Sequence, residues 1–356
     1  MKVLLSFNET YAPHAAAVIT GLVCNSSQKI SVVVLYYTLS SETIQKFYDY
    51  YSPLLNSIEF IKVNINSDIE KHLKEIKSHF YLNGNIETWL RLFASSYIQD
   101  DYVVWLDCDI VITGDICKIL DEIDNRYLVS ACKEYDPKYK LKDLSNIDKE
   151  EALKMHYLLI YDSHYYRTYE YYDIPHDASY FCAGIMYMNL RLWREVNLES
   201  QIIEKIFQYD YLFALDQDIL NSVIKGRFCV ITPKWNTAIN LRKTISNYDS
   251  ELLEEAEKSP CIVHLGGSAK PWNENYGGSY RKLYWNYRLN TPWPARPHWK
   301  RRLKNKFYII NLIAKFLYVL KKLLKPNKDH YLVSTSFMDE KGEYILNAWQ
   351  SGHINE

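Results

Sequence analysis

The first hundred residues alternate between short runs rich in Val, Ile and Leu and longer runs with helical spacing. Four apolar runs are typical of buried strands: residues 2–7, 30–37, 58–63 and 102–106. Helices are predicted between them, over residues 12–24, 40–51 with Ser40 as N-cap, 68–78 and 87–98. This alternation predicts an α/β fold, a Rossmann-like and mostly parallel sheet flanked by helices. Ligands of such sheets bind where the strands end.

Two carboxylates follow the fourth predicted strand, in the sequence YVVWLDCDIVITGD. Side chains on extended backbone alternate between faces, so Asp107 and Asp109 should point the same way. Paired carboxylates at a strand end suit a hard divalent cation, and a cation there can neutralise the charge of a phosphate leaving group. An Asp-x-Asp triplet by itself is weak evidence, because it also occurs in turns and helix caps.

A second motif, HLGGSAKPW, follows a short predicted strand at residues 261–263. His264 offers an imidazole, Gly266 and Gly267 allow a close approach of backbone to ligand, and Lys270 is a point charge suited to a phosphate. Asp107, Asp109 and His264 together form an O,O,N donor set that suits Mn²⁺.

Several classes of protein are disfavoured. The chain has no GxGxxG after its first strand and no GxxxxGK[ST], so a dinucleotide dehydrogenase or a P-loop enzyme is improbable. Its seven cysteines are scattered and include no CxxC, which argues against a disulfide framework or a zinc site. The opening MKVLLSF lacks the pattern of a signal peptide, which indicates a cytoplasmic protein.

The charge is uneven along the chain. No Asp or Glu lies between Glu274 and Asp329, where 14 of the 42 Lys and Arg residues are found. Residues 296–328 combine this basic charge with apolar spacing, which is typical of an amphipathic helix on an anionic membrane surface. Nucleic acid is the rival partner of a basic segment, but the apolar content favours membrane. A core helix with solvated lysines is the structural alternative.

Residues 136–179 are polar and rich in tyrosine, which suggests an excursion from the core. Four tyrosines there could be sugar-stacking platforms or could equally be packing: Tyr165, Tyr166, Tyr169 and Tyr172.

The chain resembles the retaining glycosyltransferases of family 8, most closely the bacterial lipooligosaccharide galactosyltransferases. Six landmarks carry the resemblance in order: Tyr11, Arg91 in TWLRLFA, Asp107-Cys108-Asp109, Ala183-Gly184 in YFCAGIMYMNL, Asp216-Gln217-Asp218 in LDQDILN, and His264 through Trp272. The resemblance implies a GT-A fold, a UDP-sugar donor, Mn²⁺ with Mg²⁺ as the alternative, and retention of anomeric configuration.

The resemblance also assigns roles. It implies that Asp107, Asp109 and His264 hold the metal and that Gly267 and Lys270 contact the diphosphate. Further donor contacts are expected from Asn8, Tyr11, Arg91, Asp107, Cys182, Ala183 and Gly184. Asp216 and Gln217 are the expected catalytic residues, with Gln217 beneath the anomeric carbon. A helix N-cap is the structural alternative for Asp216.

The side chain of Gln217 is a neutral amide, which is a poor covalent nucleophile. We therefore favour attack of the acceptor hydroxyl on the face from which the diphosphate departs, with the departing phosphate as base. Two departures from the family pattern leave the donor sugar open: the first loop has Asn8 where an acidic residue is usual, and Cys182 replaces the Asn of Asn-Ala-Gly.

The predicted organisation is a GT-A catalytic domain at residues 1–275, a basic membrane-associating segment at 276–330 and a tail of unknown role at 331–356. Within the catalytic domain, residues 136–179 are the expected excursion on the acceptor side. The predicted function is transfer of galactose or glucose from a UDP-sugar to a saccharide hydroxyl of a lipooligosaccharide or another surface glycan, on the inner face of the cytoplasmic membrane. The alternatives are a sugar-nucleotide nucleotidyltransferase and a non-catalytic sugar-binding protein on the same scaffold.

Overall fold

A seven-stranded sheet organises the chain, as the alternation of apolar and helical runs predicts. The computed structural model describes residues 1–78, 85–135, 169, 171–212, 214–238, 250–265, 270–273 and 279–295. The described strands, in chain order, are β1 (Lys2–Ser6), β2 (Ser31–Tyr36), β3 (Ser57–Lys62), β4 (Lys77–Ser78), β5 (Tyr102–Leu106), β6 (Ile110–Ile112), β7 (Val129–Tyr135), β8 (Tyr180–Asn189), β9 (Tyr211–Leu212), β10 (Cys229–Val230), β11 (Thr237–Ala238) and β12 (Ile262–His264).

The order of the main sheet is β10-β7-β8-β5-β1-β2-β3. Strands β3, β2, β1 and β5 are parallel, and β8 runs antiparallel to both β5 and β7. The α/β prediction of a mostly parallel sheet is therefore confirmed. The turn after β5, which begins with Asp107, lies at the edge where the parallel strands end.

A small three-stranded sheet, in the order β11-β12-β6, lies at the same end of β5. In its register, His264 is opposite both Ile110 and Ala238. Because β6 begins one residue after Asp109, this pairing brings His264 to the two carboxylates. A further pair, β4 with β9, is parallel.

The described α-helices are α1 (Ala12–Asn25), α2 (Ser41–Tyr51), α3 (Ser67–Glu75), α4 (Ala94–Tyr97), α5 (Leu190–Glu195), α6 (Leu198–Gln208), α7 (Asp216–Ile224), α8 (Ser250–Lys258) and α9 (Arg281–Leu289). The predicted N-cap of α2 is confirmed, since Thr43 N donates to Ser40 Oγ at 3.1 Å. None of the helices in the described ranges is long and apolar enough to cross a lipid bilayer. All seven cysteines are free thiols.

One predicted helix is wrong in type. Residues 87–98 do not form a single α-helix: a 3₁₀ helix, Ile86–Phe93, precedes the short α4. Seven of its eight side chains are buried, Glu87 and Arg91 among them. Such a segment has no solvated face, so its tertiary contacts override the helical period that the sequence suggests.

The core lies on both faces of the main sheet. One cluster contains Trp89, Trp105 and Trp193, and the other packs α1 and α2 through residues such as Phe47 and Trp235. Tyr169 and Tyr172 are buried, so the packing alternative holds for these two tyrosines. Tyr165, Tyr166 and most of 136–179 lie outside the described residues, as do 296–328 and 331–356. The predicted domain boundaries stay a prediction.

Candidate functional site

The site begins where β5 ends. Asp107 N donates to the carbonyl oxygen of Gly184 at 2.8 Å, which continues the β5–β8 pairing by one residue. Trp105 Nε1 donates to Asp107 Oδ1 at 3.0 Å. On the far side of the turn, Leu265 N donates to the carbonyl oxygen of Asp109 at 2.9 Å. Backbone from two sheets therefore fixes the turn that carries both carboxylates.

The three predicted metal ligands lie together. His264 Nε2 is 3.3 Å from Asp109 Oδ1 and 3.9 Å from Asp107 Oδ2, and one ligand atom from each residue lies within 4.8 Å of the others. The three side chains are 25 %, 17 % and 13 % exposed in chain order. Two carboxylate oxygens and an imidazole nitrogen suit a divalent cation such as Mn²⁺, and their partial exposure leaves a path for it.

Gly184 leaves the space that these ligands occupy. A Cβ at this position would lie 2.4 Å from His264 Cε1 and 3.0 Å from Asp107 Oδ2. The family resemblance predicts Gly184 as a donor contact. The structure adds a second reason for glycine there, because any side chain would displace two of the three ligands.

Positive charge already gathers around Asp109. Lys270 Nζ forms an ion pair with Asp109 Oδ2 and donates to the carbonyl oxygen of Leu265 at 2.7 Å. Burial favours the neutral acid, yet Lys270 and His264 hold the pKa of Asp109 well below its ordinary value. Burial likewise opposes the charged imidazole, but Asp109 raises the pKa of His264 well above its usual range. Lys270 and His264 thus keep Asp109 in its charged form.

Arg91 contacts two carboxylates of the site, Asp107 and Asp216, from the buried side. This buried guanidinium donates to Asp107 Oδ1 at 2.7 Å and to the carbonyl oxygen of Ala183 at 2.6 Å. Its Nε lies 2.9 Å from Asp216 Oδ2 as an ion pair, and its plane lies over Trp105, 4.0 Å from the ring centroid. A guanidinium with this many partners orders the site from inside the core.

Asp216 and Gln217 lie on the first turn of α7. Leu215, not Asp216, is the N-cap residue, and its φ of 54° is unusual for a residue with a side chain. The N-cap alternative for Asp216 is therefore wrong: its carboxylate pairs with Arg91 instead. Gln217 Oε1 accepts a hydrogen bond from Ala183 N at 2.8 Å. Helix α7 is thereby tied to the strand that carries Gly184.

Comparison with known proteins agrees with this geometry. The model of glycosyl transferase family 8 matches residues 2–276. The chain belongs to glycosyl transferase family 8. It is 23% identical to general stress protein A of Bacillus subtilis over 82% of this chain and 94% of the relative. It is 24% identical to the lipopolysaccharide 1,2-glucosyltransferase of Escherichia coli over 66% of this chain and 67% of the relative.

The fold is also that of a solved glycosyltransferase. The structure of the galactosyltransferase LgtC, in complex with donor and acceptor sugar analogs, superposes with a TM-score of 0.64 at 19% identity, over 85% of this chain and 99% of that one. The GT-A expectation is confirmed. As a glycosyltransferase, this protein acts on a sugar donor and a saccharide acceptor. Enzymes of this family typically use a divalent metal, which the Asp107–Asp109–His264 set would hold.

Two of the predicted donor contacts, Asn8 and Tyr11, lie in the first loop. Asn8 Oδ1 accepts from Tyr11 N at 3.1 Å, which shapes the first loop. Burial and the nearby Asp109 and Asp107 carboxylates raise the pKa of Tyr11. The Tyr11 ring meets Trp272 edge-on, at 6.0 Å between centroids. Gly267 lies outside the described residues.

Several residues that support the site were not predicted from the sequence. Asp218, 1% exposed, accepts hydrogen bonds from the hydroxyls of Tyr172 and Tyr180 and from Ala214 N. It thereby fixes the turn at Leu215. His14 stacks on Trp272 at 3.7 Å between centroids. Asp218 was part of the LDQD motif, but no role was predicted for it. Nothing in the neighbouring sequence identifies its tyrosine partners, which lie 38 and 46 residues away.

We predict that Gly184→Ala weakens both cation binding and transfer. The new Cβ must push His264 or Asp107 aside, and a displacement of about 1 Å at a reacting centre costs on the order of 10²-fold in rate. Cation titration by calorimetry and a transfer assay measure the two effects. Met186→Leu, a volume-conserving change at a buried position of the same strand, is the matched control. Unchanged cation affinity in Gly184→Ala would contradict the assigned role of the glycine.

A second prediction concerns Asp216. Burial, partly offset by Arg91, raises its pKa to about 7, whereas an unfolded chain gives roughly 3.9. The folded state therefore holds this proton longer, so the stability that it contributes is complete below about pH 4 and is lost as the pH rises to 7. Relative to Asp216→Asn, the wild-type free energy of unfolding should fall across that window and then run parallel above pH 8. Urea unfolding of both proteins measures this, and a gap independent of pH would refute it.

Proposed function

We propose that this protein is a retaining hexosyltransferase that moves galactose or glucose from a UDP-sugar to a saccharide hydroxyl of a lipooligosaccharide or another surface glycan. The observation that carries the proposal is the cluster of Asp107, Asp109 and His264 beside Lys270, in a chain of glycosyl transferase family 8. The relatives named for lipopolysaccharide glycosyl transfer support the class of acceptor.

The donor diphosphate would lie against this cluster. Mn²⁺, with Mg²⁺ as the alternative, would be held by Asp107, Asp109 and His264 and would supply charge neutralisation to the departing diphosphate. Lys270, now on Asp109, lies close enough to contribute a second positive charge. Asn8 can hydrogen-bond the uracil, and Tyr11 can stack on it.

The sugar would lie between β8 and the start of α7. Gln217 is an uncharged amide whose Oε1 is engaged by Ala183 N, and the Asp216 carboxylate is buried against Arg91. Neither is disposed as a free nucleophile. This supports attack by the acceptor hydroxyl on the same face as the leaving group, with the departing phosphate taking the proton.

We predict that the protein transfers hexose from UDP-galactose or UDP-glucose only when Mn²⁺ or Mg²⁺ is present. Asp109→Asn should lower this activity by at least about 10²–10³-fold, because it removes a charged oxygen from the site. A panel of UDP-sugars, assayed by released UDP with and without EDTA, provides the measurement.

The control for Asp109→Asn is Asp101→Asn, which removes a carboxylate that is 55% exposed at the opposite end of the same strand. Asp101→Asn should keep wild-type activity. Full activity in Asp109→Asn would reject the metal role. If no UDP-sugar is bound or hydrolysed by the wild-type protein, the donor assignment fails.

We also infer from the sequence that residues 296–328 attach the protein to the cytoplasmic face of the membrane. Each basic residue near an anionic leaflet contributes roughly 1 kcal/mol, and several lie in this segment. The full chain should float with vesicles containing anionic lipid and stay behind with purely zwitterionic vesicles. The matched variant Lys321→Glu/Lys322→Glu should float less. A chain truncated at Pro294 that floats as well as the full chain would remove this inference.

A further inference from the structure

Asn236 contacts the one candidate metal ligand that can exist in two neutral forms. Its Oδ1 lies 3.0 Å from His264 Nδ1, and the residue is 1% exposed. The opposite ring nitrogen, Nε2, faces Asp109 and Asp107. Asn236 itself touches neither carboxylate in the contacts described above, so any influence on the site must pass through the imidazole.

The backbone around Asn236 is fixed by Glu122, whose side chain is partly buried. Glu122 accepts hydrogen bonds from Thr232 N at 2.8 Å and from Trp235 Nε1 at 2.9 Å, and it pairs with Lys234 at 2.7 Å. These contacts hold the 3₁₀ turn Pro233–Trp235 directly before Asn236.

The residue after Asn236 is held as firmly. Thr237 Oγ1 donates to the carbonyl oxygen of Pro233 at 3.0 Å, and β11 then pairs with β12, where Ala238 is opposite His264. The amide of Asn236 is thus presented to the imidazole from a rigid support.

The contact determines which ring nitrogen can bind a cation. A neutral imidazole carries one proton, and the nitrogen without it offers the lone pair. Because an amide oxygen only accepts hydrogen bonds, Asn236 Oδ1 retains the proton on Nδ1. Nε2, which faces the carboxylates, then has its lone pair free. With the amide turned the other way, its NH₂ would face Nδ1 and the proton would move to Nε2, towards the cation site.

We propose that Asn236 is a positioning residue that fixes the tautomer and ring orientation of His264 and thereby sets the affinity of the site for a divalent cation. The inference rests on the metal site of the proposed function. Partners of this kind on ligating histidines typically change metal affinity by 10–100-fold when they are removed.

The contact between Asn236 and His264 leaves one polar group of Asn236 without a hydrogen bond. Asn236 Nδ2 is buried and has no hydrogen-bond partner among the described residues. Leaving a buried donor unsatisfied is unfavourable, so a purely structural residue here would be better served by an apolar side chain. The amide is explained by what its oxygen does for His264.

The test measures Mn²⁺ affinity by calorimetry in the absence of donor, together with thermal unfolding. Asn236→Leu should bind Mn²⁺ about 10–100-fold more weakly. Asn236→Asp offers only acceptor oxygens, retains the proton on Nδ1 and should bind within about threefold of wild type or more tightly. Thr237→Val disturbs the same turn without touching the imidazole and should bind as wild type does. If Asn236→Leu fails to fold, Asn236→Ala replaces it with the same expectation.

The possible outcomes test the role of Asn236 and the metal site separately. Wild-type affinity in both Asn236→Leu and Asn236→Ala overturns the role of Asn236 and leaves the metal site intact. An Asn236→Asp protein as weak as Asn236→Leu also overturns it, because the NH₂ group and not the oxygen would then face the ring. A wild-type protein that binds no Mn²⁺, either alone or together with UDP, rejects the metal site of the proposed function, and the role of Asn236 falls with it.

Discussion

The site depends on holding two carboxylates close together in a partly buried turn. Repulsion and burial both oppose that arrangement unless positive groups compensate. The chain supplies compensation from three directions: Arg91 behind Asp107, and Lys270 and His264 beside Asp109. Arg91 lies in the 3₁₀ helix Ile86–Phe93, whereas His264 ends β12 and Lys270 follows it, so the fold must be complete before the charges balance. The candidate cation site therefore depends on tertiary structure and not on the Asp-x-Asp triplet alone.

Strand β8 connects the parts of this arrangement. It pairs with β5 in antiparallel register, and its Gly184 makes room for two of the candidate ligands. The carbonyl oxygen of Ala183 accepts a hydrogen bond from Arg91, and its N–H donates to Gln217 Oε1. The antiparallel strand in an otherwise parallel region thus places helix α7 against the ligands. The start of α7 is also held by Asp218, which accepts hydrogen bonds from the Tyr172 and Tyr180 hydroxyls next to the turn at Leu215.

The sequence predicted the elements well because their signals are local. Apolar runs marked β1, β2, β3 and β5 to within a residue, and Ser40 marked the start of α2. The cluster of Asp107, Asp109 and His264 was predicted from chemistry and from resemblance. The sequence did not predict the roles of Asn236, His14 and Asp218, because each of these residues acts through a partner far along the chain. The segment Ile86–Phe93 was predicted as an α-helix and is a 3₁₀ helix, because a segment with seven of its eight side chains buried shows no solvated face that would define its period.

The charges around the site suggest why cation and donor would bind together. Arg91, Lys270 and a protonated His264 face Asp107, Asp109 and Asp216, whose pKa of about 7 leaves it partly neutral. The metal-free site is therefore close to electrical balance. A divalent cation alone would add positive charge to a poorly solvated turn, and a diphosphate alone would add negative charge. Under the proposed function the two compensate each other, so each lowers the electrostatic cost of binding the other.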